Sequence, residues 1–158
     1  MQPAVRLKPM PKLYVAPGQI WRDDCYYLNR VTGECMRKYV LVLAVAHSGD
    51  MITAVLTSKP NGLTEHPPCS LGPPREGYFL GIPGHTLNKP TWVDFSSLQT
   101  LDRYDLELHI RQGRTKRLPH TLEAGTLCAV LRCVLRSDDI TNRQSRWIAD
   151  AITSLACP

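Results

Sequence analysis

The feature that most constrains this chain is a pair of apolar segments joined by a short polar turn. Lys38-Tyr-Val-Leu-Val-Leu-Ala-Val-Ala46 is followed by His47-Ser-Gly-Asp50 and then by Met51-Ile-Thr-Ala-Val-Leu56. Val, Leu, Ile and Tyr dominate both segments, and turn residues separate them, which specifies a buried β-hairpin over 38–57. Cations stand where the first strand begins (Arg37, Lys38). Hydroxyls and another cation stand where the second ends (Thr57, Ser58, Lys59). In an antiparallel pair the start of one strand lies beside the end of the next. The two polar groups are therefore expected to meet at one end of the sheet. Cations beside hydroxyls suit an anion, and a phosphate is the first candidate.

At 158 residues the chain is long enough for one domain with a core of its own. Its 43% hydrophobic and 21% charged residues fit a globular protein. No apolar run reaches the roughly 18–20 residues that a membrane helix needs. The start, Met1-Gln-Pro-Ala-Val-Arg6, lacks the apolar centre of a secretory signal. A cytoplasmic location without a membrane partner is expected. The net charge of +5, from 19 basic and 14 acidic side chains, mildly favours a polyanion.

The six cysteines, at 25, 35, 69, 128, 133 and 157, form no Cys-x-x-Cys and no Cys/His pair of zinc-knuckle spacing. Without a secretory signal they are expected as reduced thiols. Cys128 and Cys133 fall in an apolar helical stretch and are expected as small core residues. Cys25 and Cys35 flank the turn Asn29-Arg-Val-Thr-Gly33 and can face each other across a hairpin. A disulfide there, or a metal shared with Cys69, is the alternative. No cofactor or metal is expected.

Residues 1–16 are rich in proline and cations and are expected to be a flexible arm, with 17–158 a single domain. Gly18-Gln-Ile-Trp-Arg22 begins the first strand, and a polar excursion follows over 23–36. Residues 59–77, rich in Pro and Gly, read as a loop. Tyr78–Ile82 and Thr91–Phe95 read as strands, and Leu98–Leu101 continues the latter or starts another. Leu106-Glu-Leu-His-Ile110 alternates like a strand, and Arg111, Arg114, Lys116 and Arg117 around Gly113 read as a basic turn. Thr121 to Arg136 has helical spacing, and Ser137-Asp-Asp139 offers caps for a second helix. The expected class is mainly β (α+β): a small antiparallel β-barrel over about 17–118 and C-terminal helices over about 121–156.

Four blocks carry a resemblance. Pro17-Gly-Gln-Ile-Trp21, Lys38-Tyr-Val-Leu-Val-Leu43, Val55-Leu-Thr-Ser-Lys59 and Val93-Asp-Phe-Ser-Ser-Leu-Gln-Thr-Leu-Asp102 resemble, in order and spacing, the MazF/PemK toxins. The resemblance covers residues 17–104. It implies an SH3-like barrel of the MazF/PemK/CcdB type, a homodimer through the Leu98–Asp102 segment, and metal-independent cleavage of single-stranded RNA, neutralised by an antitoxin. The chain departs from the family at several points. The family's Arg-Pro pair is Lys38-Tyr39 here, with Arg37 one residue earlier. The proline before Leu-Thr-Ser is Val55, and Ser96 stands where many relatives have an acid.

Metal-free RNA cleavage needs a base for the 2′-hydroxyl, an acid for the leaving 5′-oxygen, and donors for the phosphorane. Lys38, or Arg37 if the register differs by one, is the expected phosphate cation; the alternation of a strand aims only one of them into the site. Thr57 and Ser58 are expected donors. His66 and His85 are candidate acids or bases, with Asp94 orienting one of them. Lys59, His85, Ser96, Arg114, Lys116 and Arg117 are candidate RNA contacts. Each also has a plain structural reading: solvated cations, turn hydroxyls, ordinary loop histidines. The competing function is a barrel that keeps the scaffold without the chemistry and binds nucleic acid or a protein, as CcdB-type toxins bind gyrase. A cysteine or metal enzyme using Cys25, Cys35 and Cys69 is a third reading.

Overall fold

The computed structural model describes residues 13–158. The arm expected over 1–16 lies outside the described residues except for its last four. The elements run β1 (Gln19–Leu28), β2 (Cys35–Val45), β3 (Met51–Thr57), β4 (Cys69–Ser70), β5 (Gly77–Gly81), β6 (Thr91–Leu101), α1 (Arg103–Arg111), β7 (Thr115–Thr121), α2 (Ala124–Leu135) and α3 (Asn142–Ser154). The strands form one sheet in the order β4-β5-β6-β3-β2-β1-β7, with every neighbouring pair antiparallel. Among the described residues the fold is α+β, a seven-stranded antiparallel sheet with three helices.

The continuous apolar runs of β2 and β3 follow from cover on both faces. Alternate residues of a strand point to opposite sides. Ile20, Leu41, Leu43, Ile52 and Phe95 pack on one side with Leu127, Val130 and Leu131 of α2 and Ile148 of α3. Trp21, Val40, Val42, Met51 and Val55 pack on the other with Leu106 of α1. Leu13 and Val15 join this second cluster. Trp21 and Trp92 are core residues, 6% and 4% exposed, as strand aromatics generally are. Close approach explains Gly77: a Cβ there would collide with the Val93 carbonyl oxygen of the neighbouring strand.

Several expectations are corrected. Residues 106–110 are helical. Asp102 caps α1 by accepting from the Tyr104 N–H at 2.6 Å, and the helix buries Leu106 alone. The basic turn is short, with Gly113 in the left-handed region at φ +70°; Lys116 and Arg117 already belong to β7, which pairs with β1. The cap of α3 is Thr141, whose side chain and Gln144 exchange hydrogen bonds with each other's backbone. Ser137 is instead spent on Glu76, a buried carboxylate that accepts from the Ser137 hydroxyl and the Asp138 N–H. β1 and β2 extend further into the polar excursion than the sequence suggests, and β6 runs unbroken to Leu101.

The largest correction concerns cysteine. All six pair, as Cys25–Cys35, Cys69–Cys133 and Cys128–Cys157. Burial of Cys128 and Cys133 is as expected, but each is half of a cross-link rather than a free thiol. Cys69 joins α2 rather than Cys25 and Cys35, so these three share no site. The Cys69–Cys133 bridge ties the short edge strand β4 to α2 across 64 residues. Closing a loop of that length removes unfolded-state entropy worth about 4 kcal/mol. The double variant Cys69→Ser/Cys133→Ser is expected to lose about that much stability in a denaturant titration, while Cys25→Ser/Cys35→Ser, closing a short surface loop, loses less.

Candidate functional site

The β2–β3 register builds the site. Tyr39 lies opposite Leu56 and Val40 opposite Val55, which sets Lys38 and Arg37 beside Thr57 and Ser58 at the end of the pair. Thr57 in turn pairs with Trp92 on β6, bringing in the loop that precedes β6. An open cleft of about 370 Å³ lies between them, lined by Arg37, Lys38, Thr57, Ser58, Lys59 and Lys89 among others. Thr86 and Asn88 contribute further polar groups from the same loop. Among the described residues four cations line this cleft and no carboxylate does. Such a lining attracts anions, and the hydroxyls and the Asn88 amide supply directional donors.

The cations differ in what holds them. Arg37 Nε is 2.9 Å from Asp24 Oδ1, and Arg22 Nε approaches the same oxygen at 3.0 Å. Lys38 Nζ sits 6.0 Å from the centre of the Tyr27 ring. Among the described residues Lys38, Lys59 and Lys89 make no ion pair. Thr57 Oγ1 accepts from the Lys59 N–H at 3.1 Å and lies 3.3 Å from the Lys59 carbonyl, a turn that fixes the hydroxyl where β3 ends. Both Arg37 and Lys38 line the cleft, although their side chains leave opposite faces of β2. The cleft wraps the end of the strand pair, so side chains of either face reach it.

The remaining predicted residues are scattered. His66 lies in a loop pinned by Thr64, whose carbonyl accepts from Trp92 Nε1 at 3.0 Å, and it does not line the cleft. Asp94 orients neither histidine; it accepts from the Ser96 N–H and hydroxyl and lies 3.3 Å from Arg75 Nη1. Ser96 faces a different recess, beside Arg75 and Glu76. Arg114 forms a forked pair with buried Asp23, at 2.9 and 3.1 Å, with His109 Nε2 at 3.3 Å. Lys116 and Arg117 are exposed on edge strand β7, paired with Arg22 and Trp21 rather than with the cleft residues. Sequence reasoning missed Thr86, Asn88 and Lys89. Their signal was weak, a lysine before a proline in a turn-rich segment about thirty residues from Lys59.

A second, smaller recess of about 110 Å³ lies on the α1 face, between Trp21, Val40, Met51 and Leu106, with Asp23, Tyr26, Gln99 and Arg114 at its polar end. Burial, then the charges of Asp23 and Asp94, push the Tyr26 phenol above its ordinary value, so it stays a donor.

His85 is stacked on His120 with ring centres 4.6 Å apart. The neighbouring residues Thr86 and Leu87 line the cleft. Neither ring nitrogen of His120 has a hydrogen-bond partner among the described residues. Burial, then the proximity of His85, lower its pKa. Between that lowered value and the ordinary value of about 6.5, the unfolded chain binds this proton more readily than the folded one. Stability is therefore full above about pH 6.5 and declines as the pH falls through it. His120→Gln is expected to flatten the fall in thermal midpoint between pH 7 and pH 5, in melts at matched ionic strength.

No protein-family model matches the chain, and no curated protein matches it significantly.

Proposed function

We propose that this chain binds single-stranded RNA in the basic cleft and cleaves it there without a metal, as a toxin-like endoribonuclease of the MazF/PemK type. The observation that carries the reading is the β2–β3 register, which gathers Arg37, Lys38, Thr57 and Ser58 around one open cleft. A ribose 2′-hydroxyl gives its proton to water and attacks the adjacent phosphorus, displacing the 5′-oxygen and giving a 2′,3′-cyclic phosphate and a free 5′-hydroxyl. Lys38 and Thr57 stabilise charge on the phosphorane, and water protonates the leaving 5′-oxygen. Lys59 and Lys89 hold flanking phosphates. An acidic antitoxin segment competes for the same cations. Two copies associate through the β6 tail and α1, where Tyr104 and Leu108 are 80% and 50% exposed and one helical turn apart. RNA as substrate goes with a cytoplasmic location; among the described residues no helix is long and apolar enough to cross a membrane.

One observation favours a second reading, an RNA-binding module without chemistry: among the described residues the cleft lining holds neither an imidazole nor a carboxylate to accept the 2′-hydroxyl proton. The two readings separate in one assay. Purified protein is incubated with a long unstructured RNA in EDTA, and the product ends are mapped. Cleavage with cyclic phosphate ends is expected, with Lys38→Ala and Thr57→Ala each slower on the order of 10²-fold. Lys38→Arg is expected to match or exceed the wild type, because the guanidinium fork fits phosphate oxygens. RNA bound but left intact establishes the binding module; unchanged cleavage in both alanine variants places the site elsewhere. Light scattering at micromolar concentration is expected to give a dimer, and a monomer there removes the association proposed through α1.

A further inference from the structure

β1 and β2 lose their register between Asp23 and Tyr27. Asp24, Cys25 and Tyr26 therefore have no ladder partners on β2. Two links span this gap. One is the Cys25–Cys35 disulfide, and the other is the ion pair between Asp24, immediately before Cys25, and Arg37, two residues after Cys35. Arg37 is the cleft cation with a carboxylate on it, and its side chain is 56% exposed. An ion pair that exposed contributes at most about 1 kcal/mol by itself. A covalent bond one residue from one partner and two from the other keeps the pair closed by raising its effective concentration. Of the three disulfides this one reaches solvent most openly, since Cys35 is exposed whereas Cys128 and Cys133 are buried.

We infer that the Cys25–Cys35 disulfide is a redox clamp on the cleft, holding Asp24 against Arg37 and so withholding one cation from the anion. The inference rests on the RNA reading of the cleft. A dithiol reductant transfers two electrons to the bridge: its first thiolate forms a mixed disulfide with one cysteine, and its second thiol displaces it. The products are two protein thiols and the oxidised, cyclic reductant. The freed bulge relaxes, Asp24 keeps Arg22 beside it on β1, and Arg37 turns to the cleft. The oxidised chain is the damped form and the reduced chain the form that grips RNA.

The test uses a fluorescein-labelled single-stranded RNA whose 2′-hydroxyls are methylated so that it is not cleaved, at low salt, in buffer without reductant, with binding read by anisotropy. Oxidised wild type is compared with Cys25→Ser/Cys35→Ser, which leaves the other two bridges intact, with Asp24→Asn, and with all three substitutions together. The double serine variant and Asp24→Asn are each expected to bind about fivefold tighter than the wild type. The triple variant is expected to bind no tighter than Asp24→Asn, because both changes release one cation. The Arg37 Nε resonance, with Asp24 Oδ1 2.9 Å away in the oxidised protein, is expected to shift in the double serine variant as the carboxylate moves off. Tighter binding by Asp24→Asn alone, or unchanged affinity in both, overturns the clamp while leaving the RNA reading standing. If no form binds RNA, the RNA reading fails, and an Arg37 resonance unchanged by the serine substitutions overturns the clamp independently.

Discussion

The antiparallel ladder between β2 and β3 is the constraint on which the rest of the molecule depends. It is central in the sheet and covered on both sides, so its residues alternate between two cores rather than between core and water. A shift of one residue would exchange the contents of the two cores, placing Leu41 and Leu43 against α1 and Val40 and Val42 against α2. Register is thereby specified by packing on both faces at once. The same register fixes which side chains meet where the two strands end. A cluster of cations cannot assemble itself, since like charges repel; here it is assembled by apolar burial two to four residues away, in Val40, Leu41 and Leu56.

What was legible in the sequence follows from this. A continuous run of Val, Leu and Ile reports a strand buried on both faces, and the turn residues between two such runs report a hairpin. The meeting of Arg37, Lys38, Thr57 and Ser58 is a consequence of those two facts alone. The segment 106–110 is different. Five residues of alternating character satisfy a strand period, and the information that decides for helix lies outside them, in Asp102 as cap. Thr141 and Gln144 had the spacing of a capping box, but Ser137 competed for the same role and is drawn off by Glu76. Cysteine pairing was least legible, because Cys69 and Cys133 are joined by the packing of α2 against the short β4–β5 pair, a long-range fact no local pattern carries. Lys89 reaches the cleft in the same way, through pairing of β3 with β6.

The cleft and its surroundings divide the basic residues into two groups. Arg22, Arg75, Arg103 and Arg114 each face a carboxylate and hold the scaffold together. Lys38, Lys59 and Lys89 face the cleft without one among the described residues. Arg37 belongs to both groups, bound to Asp24 yet on the lining, which is why the bridge beside it bears on the site. The three disulfides also stand in tension with a reducing compartment, where such bonds are rarely kept. Under the proposed reading, a surface bridge that opens there while the more buried ones persist would reconcile the cross-linked fold with an RNA substrate.

In the proposed reading the end of the β2–β3 pair receives a phosphodiester. A crystal structure with a short RNA carrying 2′-deoxy substitution at the cleavable position tests it most directly. A phosphate is expected in the cleft, within hydrogen-bond reach of Lys38 Nζ and of the Thr57 or Ser58 hydroxyl, with the chain continuing past Lys59 and Lys89. RNA lying instead along β7 against Lys116 and Arg117, with the cleft free of phosphate, would contradict it.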